Sequence, residues 1–371
     1  MIAISQAFAA SYAQARARFV GAAATAGLAL QPQVHPLRGP DGETLALDVV
    51  RDGPPDARRL LIVSSGCHGV EGLCGSGVQV FALHDAQWRA KARAQGVAVL
   101  YLHALNPHGF AHWRRVTEEN VDLNRNFVDF SQSLPANPAY SALHPVLLPP
   151  EWPPTDANTQ ALMGLLQTQG LKALQAAITQ GQYAHPDGLY FGGASPTWSH
   201  RTLRDVLRRE GAQAQRIAWV DLHSGLGPAG YGERIHDGRE VDEHGRDSGA
   251  LARARRWWSG GAATPVTSTQ DGSSSSAPVT GLMCHSAYDE CPHAQLTALT
   301  LEFGTQPAPA VLQALRADHW LHLHPQASPT LAALIHAQMR EAFYTDTDAW
   351  RGQVISQARQ VLFQAVDGLA E

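Results

Sequence analysis

The chain of 371 residues carries a formal charge of −5 and is 44% hydrophobic. That length can bury one large α/β core or two smaller ones, and mild acidity without a basic stripe argues against nucleic acid as a partner. No stretch approaches the roughly 18 uninterrupted apolar residues of a membrane span, and four cysteines (Cys67, Cys74, Cys284, Cys291) are too few for a disulfide framework, so the chain reads as cytoplasmic.

Residues 1–30 are alanine-rich, with Phe8, Tyr12 and Phe19 beside Arg16 and Arg18, the pattern of an amphipathic helix and not of a signal peptide. Residues 43–51 alternate like a half-buried strand, and 59–64 form an apolar run that reads as a fully buried one. A helix over about 75–94 leads to a third strand, Val97 to His103. The turn cluster Asn106-Pro107-His108-Gly109 precedes residues 113–127, which are polar, lack periodicity and bring Arg114, Arg115 and Arg125 close together, a set that would draw anions. The proline-rich run from Ser131 to Pro154 predicts a surface wrap, 155–180 a helix, and Ser199 the cap of a helix reaching about Glu210.

A fourth strand, Ile217 to Asp221, ends in Leu222-His223-Ser224-Gly225, and helix returns over about 246–258. Residues 259–281, rich in Gly, Ser and Thr, predict a mobile loop near the site. A fifth strand, Leu296 to Phe303, carries Glu302 at its end, and helices over about 307–317, 329–344 and 348–368 finish the chain. Strands alternating with helices predict a three-layer α/β/α fold around a mixed, mostly parallel sheet.

Chemistry concentrates in Gly66-Cys67-His68-Gly69-Val70-Glu71-Gly72, between the second strand and the helix after it. His68 and Glu71 are three residues apart, so one tight turn can aim an imidazole nitrogen and a carboxylate oxygen at one point, a pairing that suits zinc. Alone the pair reads more readily as a loop-capping histidine and a helix-starting glutamate. His68, His223 and Glu302, however, each follow or end an apolar strand, and open α/β sheets bind ligands beyond the carboxyl ends of their strands. His319, His322 and His324 read as surface or helix-end residues, Cys284, His285, Cys291 and His293 as free thiols and loop histidines, and Cys67 as a packing residue.

Four motifs resemble the zinc carboxypeptidase superfamily, which includes carboxypeptidase A-like and aspartoacylase-like enzymes. They are His68-Gly-Val-Glu71; Asn106-Pro through Arg115 to Val-Asp122-Leu-Asn124-Arg125-Asn-Phe; Asp221-Leu-His223-Ser; and Thr300-Leu-Glu302-Phe-Gly. The resemblance is nearest a bacterial carboxypeptidase-like family of unassigned function. It implies one catalytic domain over 1–371 with a family-specific insertion at about 130–215. It implies one zinc ion held by His68, Glu71 and His223, with Asp122 fixing the tautomer of His68. Glu302 would take a proton from the attacking water and return it to the leaving amine, and Arg115 would steady the oxyanion, with Arg114 competing for that role. Asn124 and Arg125 would hold a substrate carboxylate. Typical members carry a tyrosine on a mobile loop before the catalytic glutamate; here that stretch has none, and Tyr288 is the nearest substitute.

The function this implies is zinc-dependent hydrolysis of an amide bond adjacent to a free carboxylate, acting on a small peptide or an N-acyl amino acid. Aspartoacylase-like deacylation or peptidoglycan-type amide hydrolysis is the alternative. A non-catalytic binding protein is a third reading, opposed by retention of Glu302. Neither nucleic acid nor membrane is an expected partner, and the sequence leaves the oligomeric state open.

Overall fold

The computed structural model describes residues 2–239, 249–259 and 264–371. Among them, strands β1 (Leu30–Arg38), β2 (Thr44–Asp52), β3 (Arg59–Ser65), β4 (Val97–His103), β5 (Arg216–Gly225), β6 (Gly232–His236), β7 (Val266–Ser268) and β8 (Gln295–Gly304) form one sheet in the order β1-β2-β4-β3-β5-β8-β6-β7. The centre of the sheet, β4-β3-β5-β8, is parallel throughout, as is β6 with β7, while the other pairings are antiparallel. The fold is therefore the expected α/β architecture around a mixed, mostly parallel sheet.

Alternation along β3 shows why its run from Leu60 to Val63 is apolar without a break. Leu61 and Val63 join the core made with helices Tyr12–Thr25, Gly72–His84 and Asp348–Ala370, whereas Leu60 and Ile62 join the core made with helix Trp198–Glu210. A parallel strand covered on both faces has no side to leave polar. Each such side chain, once fully buried, contributes about 1.5–3 kcal/mol.

Several boundaries differ from the sequence reading, each for a local reason. The helix expected over 155–180 breaks at Gly170, whose φ of 80° favours glycine, into Asp156–Gln169 and Leu171–Thr179. The helix expected over 75–94 is interrupted by Asp85, which caps the second piece through hydrogen bonds from Gln87 and Trp88. The proline-rich run contains a helix, Pro138–Leu147, started by a Pro at its first turn, and Thr197 instead of Ser199 caps the helix that follows. The edge strand β1 was invisible to pattern reading because it is mostly exposed and carries Pro32 and Pro36. The helix read as starting at 246 is described only from Ala250, and residues 260–263 of the expected mobile loop also lie outside the described residues.

The segment read as an insertion is divided in its packing. Tyr140, Leu143, Leu174 and Ile178 form a third core with Val70, Val311, Leu315 and Phe343, while Leu203, Val206 and Leu207 belong to the sheet's own covering layer. Val70 lies inside the His68–Glu71 turn, so the third core sits directly on the turn that carries the candidate ligands. No described helix is long and apolar enough to cross a membrane.

Buried neutral histidines tie this packing to pH. His103 stacks on Phe19 at 4.3 Å and meets Ser76 Oγ at 2.9 Å, and burial lowers its pKa to about 3. Burial also lowers His200 and His285 to about 4. A depressed folded-state pKa means that the unfolded chain takes up the proton first, so stability is complete above pH 6.5 and falls as pH drops below it. Each such histidine contributes a slope of up to about 1.4 kcal/mol per pH unit. Urea unfolding of the wild type and of His103→Gln between pH 7 and pH 4.5 should therefore give a shallower acid dependence in the variant. Equal slopes would show that His103 is not held neutral.

Candidate metal centre and its cleft

The turn after β3 is shaped by close backbone approach. Gly66 has a φ of 65°, and a Cβ there would meet Ala104 Cα at 3.2 Å. A Cβ on Gly69 would lie 2.2 Å from the carbonyl carbon of Gly109. That space is filled by backbone pairing: the Gly69 and Val70 amides donate to the Arg115 and Arg114 carbonyls at 3.0 and 2.9 Å. Asn106 fastens the arrangement, since its amide nitrogen donates to Gly66 O at 2.8 Å and its side chain accepts from Gly109 N at 2.9 Å. The His-Gly-Val-Glu turn and the polar run carrying Arg114 and Arg115 are thus one clamped unit. His223 and Glu302 arrive independently, opposite each other in the parallel register of β5 and β8.

These elements bring His68, Glu71 and His223 together, with their donor atoms all within 4.8 Å of one another and all three residues buried. His68 Nε2 meets Asp122 Oδ1 at 3.0 Å, and His223 Nε2 meets Asp221 Oδ2 at 2.6 Å. Each carboxylate receives the Nε2–H and so presents the Nδ1 lone pair of its histidine to the same point. Both Nδ1 atoms face Glu71, at 2.9 Å for His68 and 3.0 Å for His223. The first approach is not a hydrogen bond, and His68 Nδ1 is a buried nitrogen without a partner. Asp221 in turn accepts from Ser64 Oγ at 2.6 Å, and Ser64 accepts from Trp219 Nε1 at 2.7 Å, so its orientation is set from within the core.

The charge balance points the same way. Three buried carboxylates, Glu71, Asp122 and Asp221, contact the two imidazoles, and one buried guanidinium contacts this group: Arg115 binds Asp122 and lies 3.4 Å from Glu71. With neutral imidazoles, three negative charges against one positive leave two uncompensated, which one divalent cation would balance. Burial opposes ionisation of Asp122, yet Arg115, Arg125 and His68 hold it well below the usual carboxylate range. Burial would also strip a proton from His223, but Asp221 and Glu71 outweigh it and raise that pKa, so a proton takes the cation's place when none is bound. The donor set of two imidazole nitrogens and one carboxylate fits zinc with an open fourth position.

Glu302 borders the same cleft. Its Oε1 accepts from Leu226 N at 3.0 Å, and burial, reinforced by Glu71, raises its pKa to about 8. Arg115, Asn124, Arg125 and Tyr190 also line the cleft. Asn124 Oδ1 accepts from Met283 N at 2.9 Å, which leaves its amide NH₂ as the donor end. Arg125 sends Nε and Nη2 to the Thr179 carbonyl at 2.9 and 2.7 Å and Nη1 to the Asn124 carbonyl at 2.9 Å. Three of its five N–H groups are thereby used for its own placement, and two remain.

The candidates that fall elsewhere are equally informative. Arg114 is buried away from the cleft, paired with Asp318 at 3.1 Å and Asn120 at 2.9 Å, which leaves Arg115 as the arginine beside the metal-type cluster. Tyr288 does not line the cleft; its hydroxyl accepts from Arg239 N at 3.0 Å. Tyr190, at a φ of 54°, lies there instead, with Arg115 and Arg125 5.1 and 5.5 Å from its ring. His319 is buried, not superficial, and the four cysteines are free and buried. Sequence reading passed over Asp221 as a partner of His223, although the spacing Asp221-Leu-His223 on a strand puts both side chains on one face. Tyr190 and Asp237, a third carboxylate of the cleft beside Glu71 and Glu302, carried no pattern that could mark them.

Residues 8–357 match the protein family described as "Protein of unknown function (DUF2817)", and the chain belongs to that family. No curated protein matches. Among solved structures, carboxypeptidase A from Helicoverpa armigera aligns at 13% identity over 90% of this chain and 74% of that one, with a TM-score of 0.47. A metallo-carboxypeptidase from Pseudomonas aeruginosa aligns at 14% identity over 95% and 68%, with a TM-score of 0.46. An aspartoacylase family protein from Mesorhizobium loti aligns at 14% over 80% and 67%, with a TM-score of 0.36. The chemistry of the cleft is therefore read from this chain's own residues.

If Asp221 orients His223, Asp221→Asn should weaken zinc binding by roughly 10–100-fold while leaving the circular dichroism spectrum unchanged. Competition titration against a chelator of known affinity measures this directly. Affinity unchanged within about threefold would remove Asp221 from the site's construction, since changes at this position act through the ligand it orients.

Proposed function

We propose that this protein is a zinc-dependent hydrolase that cleaves an amide bond next to a free carboxylate. The observation carrying the reading is the meeting, in one cleft, of a cation-demanding His68–Glu71–His223 cluster, a carboxylate beside it on Glu302, and unspent donors on Asn124 and Arg125. His68, Glu71 and His223 would hold the zinc, one ion in this site per chain. When bound, it would supply Lewis acidity toward the scissile carbonyl and make water a better nucleophile near neutral pH.

The remaining work belongs to the protein. The Glu302 oxygen that is not tied to Leu226 takes the proton of the attacking water as its oxygen adds to the carbonyl carbon. Glu302 then hands that proton to the amine nitrogen as the C–N bond breaks. A carboxyl pKa raised to about 8 suits the second transfer, and the positive charge in the neighbouring site favours the ionised form required for the first. Arg115, held by Asp122 beside Glu71, is placed to donate to the developing oxyanion. Arg125 and Asn124 receive the substrate's carboxylate through the donors they have not already used.

Two walls favour short substrates. Gln175 and Thr179 from one segment and Ser276, Ala277, Val279 and Leu282 from another line the cleft, and the segments join where Thr280 N donates to Gln180 O at 3.0 Å and Gln175 Nε2 to Ser275 O at 3.1 Å. A dipeptide or an N-acyl amino acid fits such a space better than a long chain, so carboxypeptidase-like and deacylase-like substrates both belong in the test panel. Four free, buried thiols accord with a reducing cytoplasm.

Glu302→Gln should keep the zinc and the fold but lose roughly 10²–10⁴-fold in turnover, because the amide cannot shuttle a proton. A variant retaining more than about a tenth of the wild-type rate would contradict the general-base role. Arg125 is tested by comparing wild type with Arg125→Ala on a peptide and on its C-terminal amide. Loss of the charged pair should cost about two to four orders of magnitude in kcat/KM on the free acid and little on the amide. A mutation that slows both substrates equally would mean that Arg125 only supports the Thr179 wall.

A further inference from the structure

A second group of metal-type side chains lies outside the cleft. His144 of helix Pro138–Leu147 and His185 and Asp187 of the segment after Gly181 place their donor atoms within 4.8 Å of one another, and none of the three lines the cleft. His144 and His185 stack at 4.1 Å with their planes 24° apart, so one ring must rotate for both to ligate one ion. His144 Nε2 lies 3.4 Å from Asp187 Oδ2, long for a hydrogen bond, and His144 Nδ1 is buried with no partner. His185 uses Nε2 on Ser141 Oγ at 3.0 Å, which leaves its Nδ1 as the free donor.

The segment carrying two of these residues is fixed before any ion arrives. Gln182 Oε1 accepts from the amides of Ala184 and His185 at 3.0 and 2.8 Å, and its Nε2 donates to the His185 carbonyl at 2.8 Å. Asn120 Nδ2 donates to Pro186 O at 2.9 Å and Gly188 O at 3.3 Å. Two imidazoles and one carboxylate, delivered from a helix and a braced loop, make a donor set for a borderline transition cation, not for calcium or magnesium. From this geometry we infer that His144, His185 and Asp187 form a second divalent-cation site, selective for zinc-like ions, with water completing the coordination. Its ion would pin the helix to the segment that leads, three residues on from Asp187, to Tyr190 in the cleft wall.

The inference does not rest on the proposed hydrolase reading, and a protein lacking the first site isolates it. His68→Ala/His223→Ala, titrated with Co2+ by its visible absorption and with Zn2+ by calorimetry, should bind one equivalent of either ion. Adding His144→Ala or His185→Ala should abolish that binding or weaken it at least tenfold. If the double variant does not fold, the same comparison runs in the wild-type background, where His144→Ala should reduce bound zinc from two equivalents to one. Absence of saturable binding in a folded His68→Ala/His223→Ala protein would overturn the proposal. So would binding that is indifferent to both further substitutions, or a wild-type stoichiometry of one that His144→Ala leaves unchanged.

Discussion

The candidate centre is governed by an electrostatic constraint: three buried carboxylates gathered on two imidazoles with one guanidinium to offset them. Burying a charge without compensation costs several kcal/mol, so such a group forms only if something positive completes it. Arg115 answers part of the demand by binding Asp122 and approaching Glu71. The rest falls on the point between Glu71 and the two Nδ1 atoms, where His68 Nδ1 lies 2.9 Å from Glu71 without making a hydrogen bond. Asp122 and Asp221 serve two ends at once, because the hydrogen bonds that fix the imidazole tautomers also concentrate the negative charge that attracts a cation.

The fold makes that concentration possible at modest cost. Parallel central strands, buried on both faces, are stabilised by apolar packing along their lengths and can spend their carboxyl ends on polar residues. The turn carrying His68 and Glu71 gains its rigidity from backbone pairing with the Arg114–Arg115 segment. Residues at positive φ gather in the same region: Ala104 follows β4, Trp113 precedes the two arginines, Asn120 precedes Asp122, and Tyr190 enters the cleft. Backbone conformations that cost about 1–3 kcal/mol each persist where surrounding structure over-determines them, as in segments that must deliver side chains to a shared point.

Much of this was legible in the sequence, for identifiable reasons. β3, β4, β5 and β8 announce themselves because two-sided burial leaves unbroken apolar runs, and His68, His223 and Glu302 stand at the ends of such runs. The edge strand β1 and the short strands β6 and β7 were not legible, since strands without a continuous buried pattern look like loops. Among site residues, local spacing could reveal His68 with Glu71 but not the choice between Arg114 and Arg115. That choice is made by Asp318, a residue 204 positions away that takes Arg114 out of the cleft. Tyr190 was hidden for the same reason: its place beside Arg115 and Arg125 depends on how residues 130–190 fold over the strand ends.

The account stands or falls on a cation between His68, Glu71 and His223. Anomalous diffraction at the zinc edge from zinc-loaded crystals tests this most directly. The account predicts a peak about 2.0–2.2 Å from His68 Nδ1, His223 Nδ1 and a Glu71 oxygen, with both Nε2 atoms still on Asp122 and Asp221. A map with no peak at that point, or one in which the ion is bound through Nε2 with the aspartates displaced, would contradict it.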